Sequence, residues 1–329
     1  MLARLRSWRP SPATVRRAFL GALVANTVIV VTGGAVRLTA SGLGCPTVPR
    51  CTAESMVPTR ELGAHGAIEF GNRLLTFVLV AAVLAALLAA GRSGRRDLRG
   101  RALLLVIGVL TQALLGALTV LTELHPVTVM AHFLLSMVLI AVAVDAHHRA
   151  CGGEGVVPVR RDVRALARLL TAAVAVTVAL GTVVTGTGPH SGDEDATDRL
   201  PFDLESVTQL HVDAVFLVLG LTIGLLVAAR AVAARELARR AGLLLAVVLA
   251  QGVVGYVQYV TDLPVLLVGG HVLGACLVWI ATLRTQLAAS AAAEVSVPAG
   301  RRAEVSGPGA APASGPLAPP VAEPPVRSR

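Results

Sequence analysis

The residues with the clearest chemical potential in this sequence are four histidines near the starts of apolar segments: His65, His132, His211 and His271. Side chains that can ionise or bind metals are rare within membrane-length apolar segments, and they mark functional sites there. In helices that run out of a membrane and back, these positions lie at similar depth. Two imidazoles at equal depth in a helix bundle can coordinate one heme iron, because a neutral ring nitrogen donates without burying a charge.

Hydrogen bonding across helices, or hydration at the membrane interface, is the simpler interpretation of such histidines. A repeat makes this simpler interpretation less convincing for His132 and His271. These two histidines end two similar blocks, residues 112–132 (QALLGALTVLTELHPVTVMAH) and 251–271 (QGVVGYVQYVTDLPVLLVGGH). Each block begins with Gln and has Gly at its fifth position. Residues 31–34 (VTGG) and 184–188 (VTGTG) match more loosely. The repeat predicts two parallel four-helix bundles related by a pseudo-twofold axis along the membrane normal.

The second apolar segment departs from this pattern. His271 lies sixty residues after His211, whereas the residue sixty positions before His132 is Asn72. His65 lies two turns further out, and the i, i+4, i+7 spacing places it on one helix face with Glu69 and Asn72. Either His65 ligates from a shifted helix, or the first bundle has one histidine ligand and an open coordination position. An open position would suit oxidative chemistry.

An acidic side chain, Glu69, occurs about one turn into the same apolar segment, in HGAIEFGNR. Burial disfavours the charged form of a lone carboxyl group. Arg73 follows four residues later, so an interfacial ion pair is one interpretation. The functional interpretation is a proton-handling carboxylate beside a heme pocket.

A cysteine pair lies in the predicted external loop VRLTASGLGCPTVPRC, at Cys45 and Cys51. The loop is rich in Gly and Pro and faces an oxidising compartment, so a disulfide is predicted. Two free thiols, or a redox-active pair, are the alternatives.

Eight apolar segments must position all of these residues. The 329-residue chain is 54% hydrophobic and 15% charged, and a bilayer core needs about 20 apolar residues per helix. We therefore predict an all-α polytopic membrane protein with eight transmembrane helices. Their approximate ranges are 18–37, 66–90, 102–122, 128–147, 167–187, 208–229, 242–260 and 265–287.

The distribution of basic residues predicts the topology. All 29 are arginines, and 24 of them lie before the first segment, after the last one, in alternate loops, or within a few residues of a segment end on that same side. By the positive-inside rule, both termini are cytoplasmic in a multi-pass protein of the cell membrane. The arginines then report orientation in the lipid bilayer, and no nucleic-acid partner is expected.

The predicted organisation follows from these segments. A cytoplasmic N-terminal segment (1–17) precedes the first bundle (18–148), and a cytoplasmic linker (149–166) leads to the second bundle (167–287). Residues 288–329 are rich in Ala, Pro, Gly and Ser, which is typical of a disordered tail.

Several blocks taken together resemble the heme A synthase family, of the actinomycete type: GGAVRLTASGLGCPTVPRC, HGAIEFGNRLLTF, VTGTGPHSGD and the two blocks that end in histidine. The resemblance runs from about residue 18 to 287. It implies a membrane oxidoreductase that converts the C8 methyl group of heme O to a formyl group, giving heme A for cytochrome oxidase. The first bundle would hold heme O, supplied by heme O synthase. The second would hold heme b, and an unidentified donor would supply electrons.

The resemblance also implies roles for residues. The family's heme-iron ligands fall on His132, His211 and His271. Its cysteine pair falls on Cys45 and Cys51. The catalytic carboxylate of the family's E-x-x-H motif falls on Glu69. The histidine of that motif falls on Asn72, which leaves His65 as the substitute ligand.

Two other functions use the same features. A b-type heme electron carrier between a quinone and a partner would need the same histidines, although Asn72 breaks the symmetry that a pure relay would want. A transporter built from repeated bundles would need no heme. Pigment in the purified protein separates the transporter from the other two.

Overall fold

The computed structural model describes residues 9–152, 159–194 and 196–290. Eight helices in these ranges are long and apolar enough to cross a membrane, which confirms the predicted all-α class and span number. They are α1 (Pro12–Leu38), α2 (Gly63–Ser93), α3 (Arg96–Leu121), α4 (Pro126–Ala150), α5 (Arg161–Thr187), α6 (Leu204–Ala231), α7 (Arg235–Val260) and α8 (Val265–Ser290). The predicted tail lies outside the described residues from position 291 onward.

Most helices extend past the predicted apolar segments. The α1 helix begins at Pro12, because Ser11 caps it by accepting the backbone N–H of Thr14 at 3.1 Å and proline suits the first helical position. The α5 helix begins at Arg161, before the apolar run predicted from residue 167. An apolar segment predicted from hydropathy ends at the first charged residue. The helix itself can continue past that residue, because the long side chain of an arginine reaches polar surroundings.

Each half of the chain forms a four-helix bundle. In the first, α1 contacts α2 and α4, and α3 contacts α2 and α4. In the second, α5 contacts α6 and α8, and α7 contacts α6 and α8. Within the described ranges, no close backbone contact joins the diagonal pairs α2 and α4 or α6 and α8. The recurrence of one arrangement supports the predicted pseudo-twofold relation.

The two bundles meet through α1 and α4 on one side and α5 and α8 on the other. Trp279 of α8 donates its indole N–H to the carbonyl of Met137 in α4 at 2.9 Å. A Cβ at Gly34 of α1 would lie 3.3 Å from Val272 of α8, so these two helices approach closely there.

The turns between α3 and α4 and between α7 and α8 have the same backbone. In each, two consecutive non-glycine residues have positive φ: Glu123, Leu124, Asp262 and Leu263. The amide of Leu124 donates to the carbonyl of Thr119 at 2.8 Å, and the amide of Leu263 donates to the carbonyl of Gln258 at 2.8 Å. Because left-handed backbone is unfavourable for L residues, its recurrence at matching positions supports the repeat.

Packing is tight at the end of the bundles where α1 begins, here called the inner end, and loose at the opposite, outer end. The buried residues of α3 and α7 are Leu98, Ala102, Leu105, Val109, Leu237, Ala241, Leu244 and Val248. All of them lie within the first fourteen residues of their helices, counted from the inner end. On α6 and α8, burial starts only at Val218 and Cys276. In these four helices, the outer part is therefore less buried than the inner part.

Candidate functional site

Three of the four candidate histidines point into this loosely packed outer level. His132 lies on α4, His211 on α6 and His271 on α8, and all three are half-buried. The helices of His211 and His271 are diagonal to each other in the second bundle. In the first bundle, the diagonal helix α2 places Asn72 at the corresponding position.

A glycine on the preceding helix makes room for each ring. The distance from an added Cβ to the ring Cε1 is 3.1 Å for Gly116 and His132, 3.2 Å for Gly181 and His211, and 3.1 Å for Gly255 and His271. Contacts that tight would push the ring away. The close approach of each ring explains why glycine occupies the fifth position of each repeated block. Gly181 leaves the same space for the ring of His211.

The ring of His211 is oriented by the backbone. Its Nδ1 lies 3.1 Å from the carbonyl oxygen of Thr177, and a neutral imidazole that donates through Nδ1 keeps a lone pair on Nε2. Within the described part of the chain, no hydrogen bond occupies the Nε2 of His211 or His271, and neither atom is enclosed. Such a nitrogen, fixed by a carbonyl acceptor, suits a metal ligand.

Glutamines hold the backbone beside the other two histidines. Gln112 Nε2 donates to the carbonyl of His132 at 3.0 Å, and Gln251 Nε2 donates to the carbonyl of His271 at 2.9 Å. In the described residues, the Nδ1 atoms of His132 and His271 are enclosed and have no partner. Imidazoles on two diagonal helices, with a glycine beneath each ring, are what a bundle-held heme needs, and the second bundle has both.

The corresponding space in the first bundle contains an amide. A Cβ at Gly33 would lie 3.9 Å from Asn72 Nδ2, so Gly33 faces Asn72 as Gly181 faces His211. These contacts correct the looser match between residues 31–34 and 184–188, because Gly33 corresponds to Gly181 and not to Gly186. The loop after α1 and the loop after α5 differ in length, so this correspondence cannot be read from the sequence alone.

His65 lies apart from this interior. It is exposed, and its Nδ1 is 3.0 Å from Ser41 Oγ in the loop after α1. Its place near the start of α2 is further out than Asn72. This position favours a hydrogen bond at the protein surface over a place between the helices.

Glu69 is buried and has partners at both oxygens. Its Oε1 accepts from Arg73 Nε at 3.0 Å, and its Oε2 accepts from the backbone N–H of Cys45. Arg73 also donates to the carbonyls of Cys45 at 2.8 Å and Thr47 at 2.9 Å. The carboxylate thus joins α2 to the loop after α1 through one ion pair and one amide.

The predicted disulfide is confirmed. Cys45 and Cys51 are bonded to each other, and both are fully buried. The bond closes the loop segment whose carbonyls accept from Arg73. Glu69, Arg73 and the disulfide therefore form one structural unit at the outer end of α2.

A link between the loop after α1 and the loop after α5 was not expected from the sequence. Arg37 at the end of α1 donates to the carbonyl of His190 at 2.7 Å and to that of Thr185 at 3.1 Å. The amide of Gly42 donates to the carbonyl of Gly192 at 2.8 Å. Burial, and then the positive charge of Arg37, lower the pKa of His190. The loop after α1 and the loop after α5 thus form a joint cap over the outer end.

Comparison with known proteins finds similarity to one family model and to curated relatives. Residues 16–190, more than half of the chain, match the model of the COX15-CtaA family, described as cytochrome oxidase assembly protein. The heme A synthase of Geobacillus kaustophilus (strain HTA426) is 32% identical over 114 residues, or 34% of this chain and 35% of the relative. The heme A synthase of Geobacillus thermodenitrificans is 31% identical over 115 residues, or 34% of this chain and 35% of the relative. The matched part spans about a third of the length of these curated relatives.

Proposed function

Because this chain belongs to the COX15-CtaA family of cytochrome oxidase assembly proteins, we propose that it is a heme A synthase, which oxidises the C8 methyl group of heme O to a formyl group. Heme O is the substrate of the first bundle, and heme b is the resident cofactor of the second. The observation that carries this proposal is the pair of half-buried histidines, His211 and His271, on diagonal helices of the second bundle.

The residues divide the work between the two bundles. His211 and His271 hold the iron of heme b, with the Nδ1 of His211 fixed by the carbonyl of Thr177. His132 holds the substrate. Bound heme iron supplies the redox chemistry, and the protein supplies position and electrostatics. Glu69 handles a proton at the outer edge of the first bundle, where Arg73 balances its charge.

Heme analysis tests this function directly. The full chain is co-expressed with a source of heme O in a host that lacks its own heme A synthase, and extracted hemes are separated by chromatography. We expect heme A, or its hydroxylated precursor. Bound heme without either product would favour the b-type electron carrier, and a colourless purified protein would favour the transporter.

The glycine beneath His271 provides a second test. In Gly255→Ala, the new methyl group would lie 3.1 Å from the His271 ring, and such overpacking costs about 1–3 kcal/mol. We expect the second bundle to retain heme roughly tenfold more weakly, measured by transfer of heme to apomyoglobin.

The matched control for this test is Gly252→Ala on the same helix, where an added Cβ has no neighbour within 4 Å. It should retain heme as the unmodified protein does. Equal retention by both variants would contradict the proposed contact between glycine and the ligand ring.

The orientation of the chain is also part of the proposal, with both termini in the cytoplasm. Met56 is 59% exposed in the loop after α1, and Arg96 is exposed at the start of α3. In a chain with Cys151 and Cys276 replaced by Ser, a membrane-impermeant maleimide should label Met56→Cys in intact cells. It should label Arg96→Cys only after the cells are permeabilised, and the opposite result would invert the topology.

A further inference from the structure

The first bundle carries an amide where the second carries a heme ligand. In the repeat, Asn72 stands sixty residues before His132, as His211 stands sixty before His271. The contacts agree, because Gly33 faces Asn72 as Gly181 faces His211. The substitution therefore falls at the ligand position itself and does not result from a shifted alignment.

The Asn72 side chain has a defined orientation. Thr32 Oγ1 donates to Asn72 Oδ1 at 2.8 Å, and this acceptor is nearer than the helix carbonyls of Val28 at 3.1 Å and Ile29 at 3.3 Å. The carbonyl end of the amide is thereby turned toward α1. In the described part of the chain, no hydrogen bond uses Asn72 Nδ2, so its two N–H groups remain available to a ligand.

An amide nitrogen cannot replace an imidazole as an iron ligand, because it is a hydrogen-bond donor with no free lone pair. His65 does not compensate, since it is exposed and held by Ser41 at 3.0 Å. Of the two candidate histidines in the first bundle, His132 is therefore the one whose ring lies among the helices.

Resting on the proposed function, we propose that the heme in the first bundle has His132 as its only protein ligand, and that Asn72 donates an N–H hydrogen bond to a small exogenous ligand in the open position. The two bundles thus differ in task. Two imidazoles in the second exclude exogenous ligands, whereas the first admits one and stabilises it with a neutral donor. Thr32 is a positioning residue for that donor.

Carbon monoxide tests this inference without reference to turnover. The full chain is purified from heme-replete cells in detergent, and its spectrum should contain one high-spin and one low-spin heme. After reduction, only the high-spin heme should bind carbon monoxide. Asn72→His should convert that heme to the low-spin form and abolish the binding.

Asn72→Leu tests the hydrogen bond, since it leaves the position open but removes the donor. We expect carbon monoxide to bind still, with a C–O stretch at higher frequency and dissociation several-fold faster. Thr32→Val removes the bond that orients the Asn72 amide, so the C–O stretch should broaden or split. This variant replaces Asn72→Leu as the test if the leucine variant fails to assemble. An unchanged C–O stretch in both variants would overturn the role of Asn72.

His65→Ala separates failure of this inference from failure of the proposed function. If His65 ligates, the unmodified protein will be entirely low-spin, and only His65→Ala will bind carbon monoxide. That result would overturn the inference and leave the heme A synthase proposal intact. A protein without heme would overturn both, whereas unchanged spin state and binding in His65→Ala would support the inference.

Discussion

His271→Ala is expected to lose the low-spin heme of the second bundle, and with it about half of the bound heme. The variant removes one of two imidazoles that face each other across diagonal helices. The remaining His211, although oriented by Thr177 at 3.1 Å, would hold the iron from one side only. The readout is the low-spin absorption of the detergent-purified protein, together with heme per chain from pyridine extraction.

His190→Ala is the matched control, because His190 lies in the loop after α5 and only its backbone carbonyl accepts from Arg37. It should keep both hemes. A full complement of low-spin heme in both His211→Ala and His271→Ala would remove the basis for the second heme site.

Glu69→Gln is expected to stall conversion of heme O by about 10²-fold or more while heme remains bound. Glutamine keeps the size of the side chain and one acceptor for the Cys45 amide, but it loses the charge that pairs with Arg73. Conversion is measured as heme A per bound heme after co-expression, so that a loss of folded protein does not count as a loss of activity.

Arg73→Lys separates proton handling from support of the loop. Lysine keeps the positive charge near Glu69 but cannot reproduce the fork of donors to the carbonyls of Cys45 and Thr47. If Glu69 handles a proton, this variant should convert more heme O than Glu69→Gln does. Equal losses in both would reduce Glu69 to an anchor of the loop, and normal heme A production by Glu69→Gln would refute any role in the reaction.

The cap over the outer end explains why Glu69 is so enclosed. Arg73 of α2 donates to the carbonyl of Cys45 in the loop that carries the disulfide. The amide of Gly42 in the same loop donates to the carbonyl of Gly192 in the second half at 2.8 Å. Arg37 adds contacts to the carbonyls of Thr185 and His190. These contacts connect the two halves of the chain at the outer end.

Local features were enough to determine the eight spans and their repeat. The length of each apolar run defines a span, and the spacing of Gln112, Gly116 and His132 recurs in the second half. The i, i+4 relation of Glu69 and Arg73 also made their ion pair foreseeable. All of these are properties of residues that lie close together in the sequence.

Only the tertiary structure decided which helices oppose each other and what each side chain meets. The correspondence of Gly33 with Gly181, the bond from Thr32 to Asn72 and the link from Arg37 to the loop after α5 all join residues on different helices or loops. Helical periodicity fixes which residues share a face, but the partner of that face depends on packing between distant parts of the chain. Loops of unequal length break the register that a sequence repeat could otherwise carry from one bundle to the other.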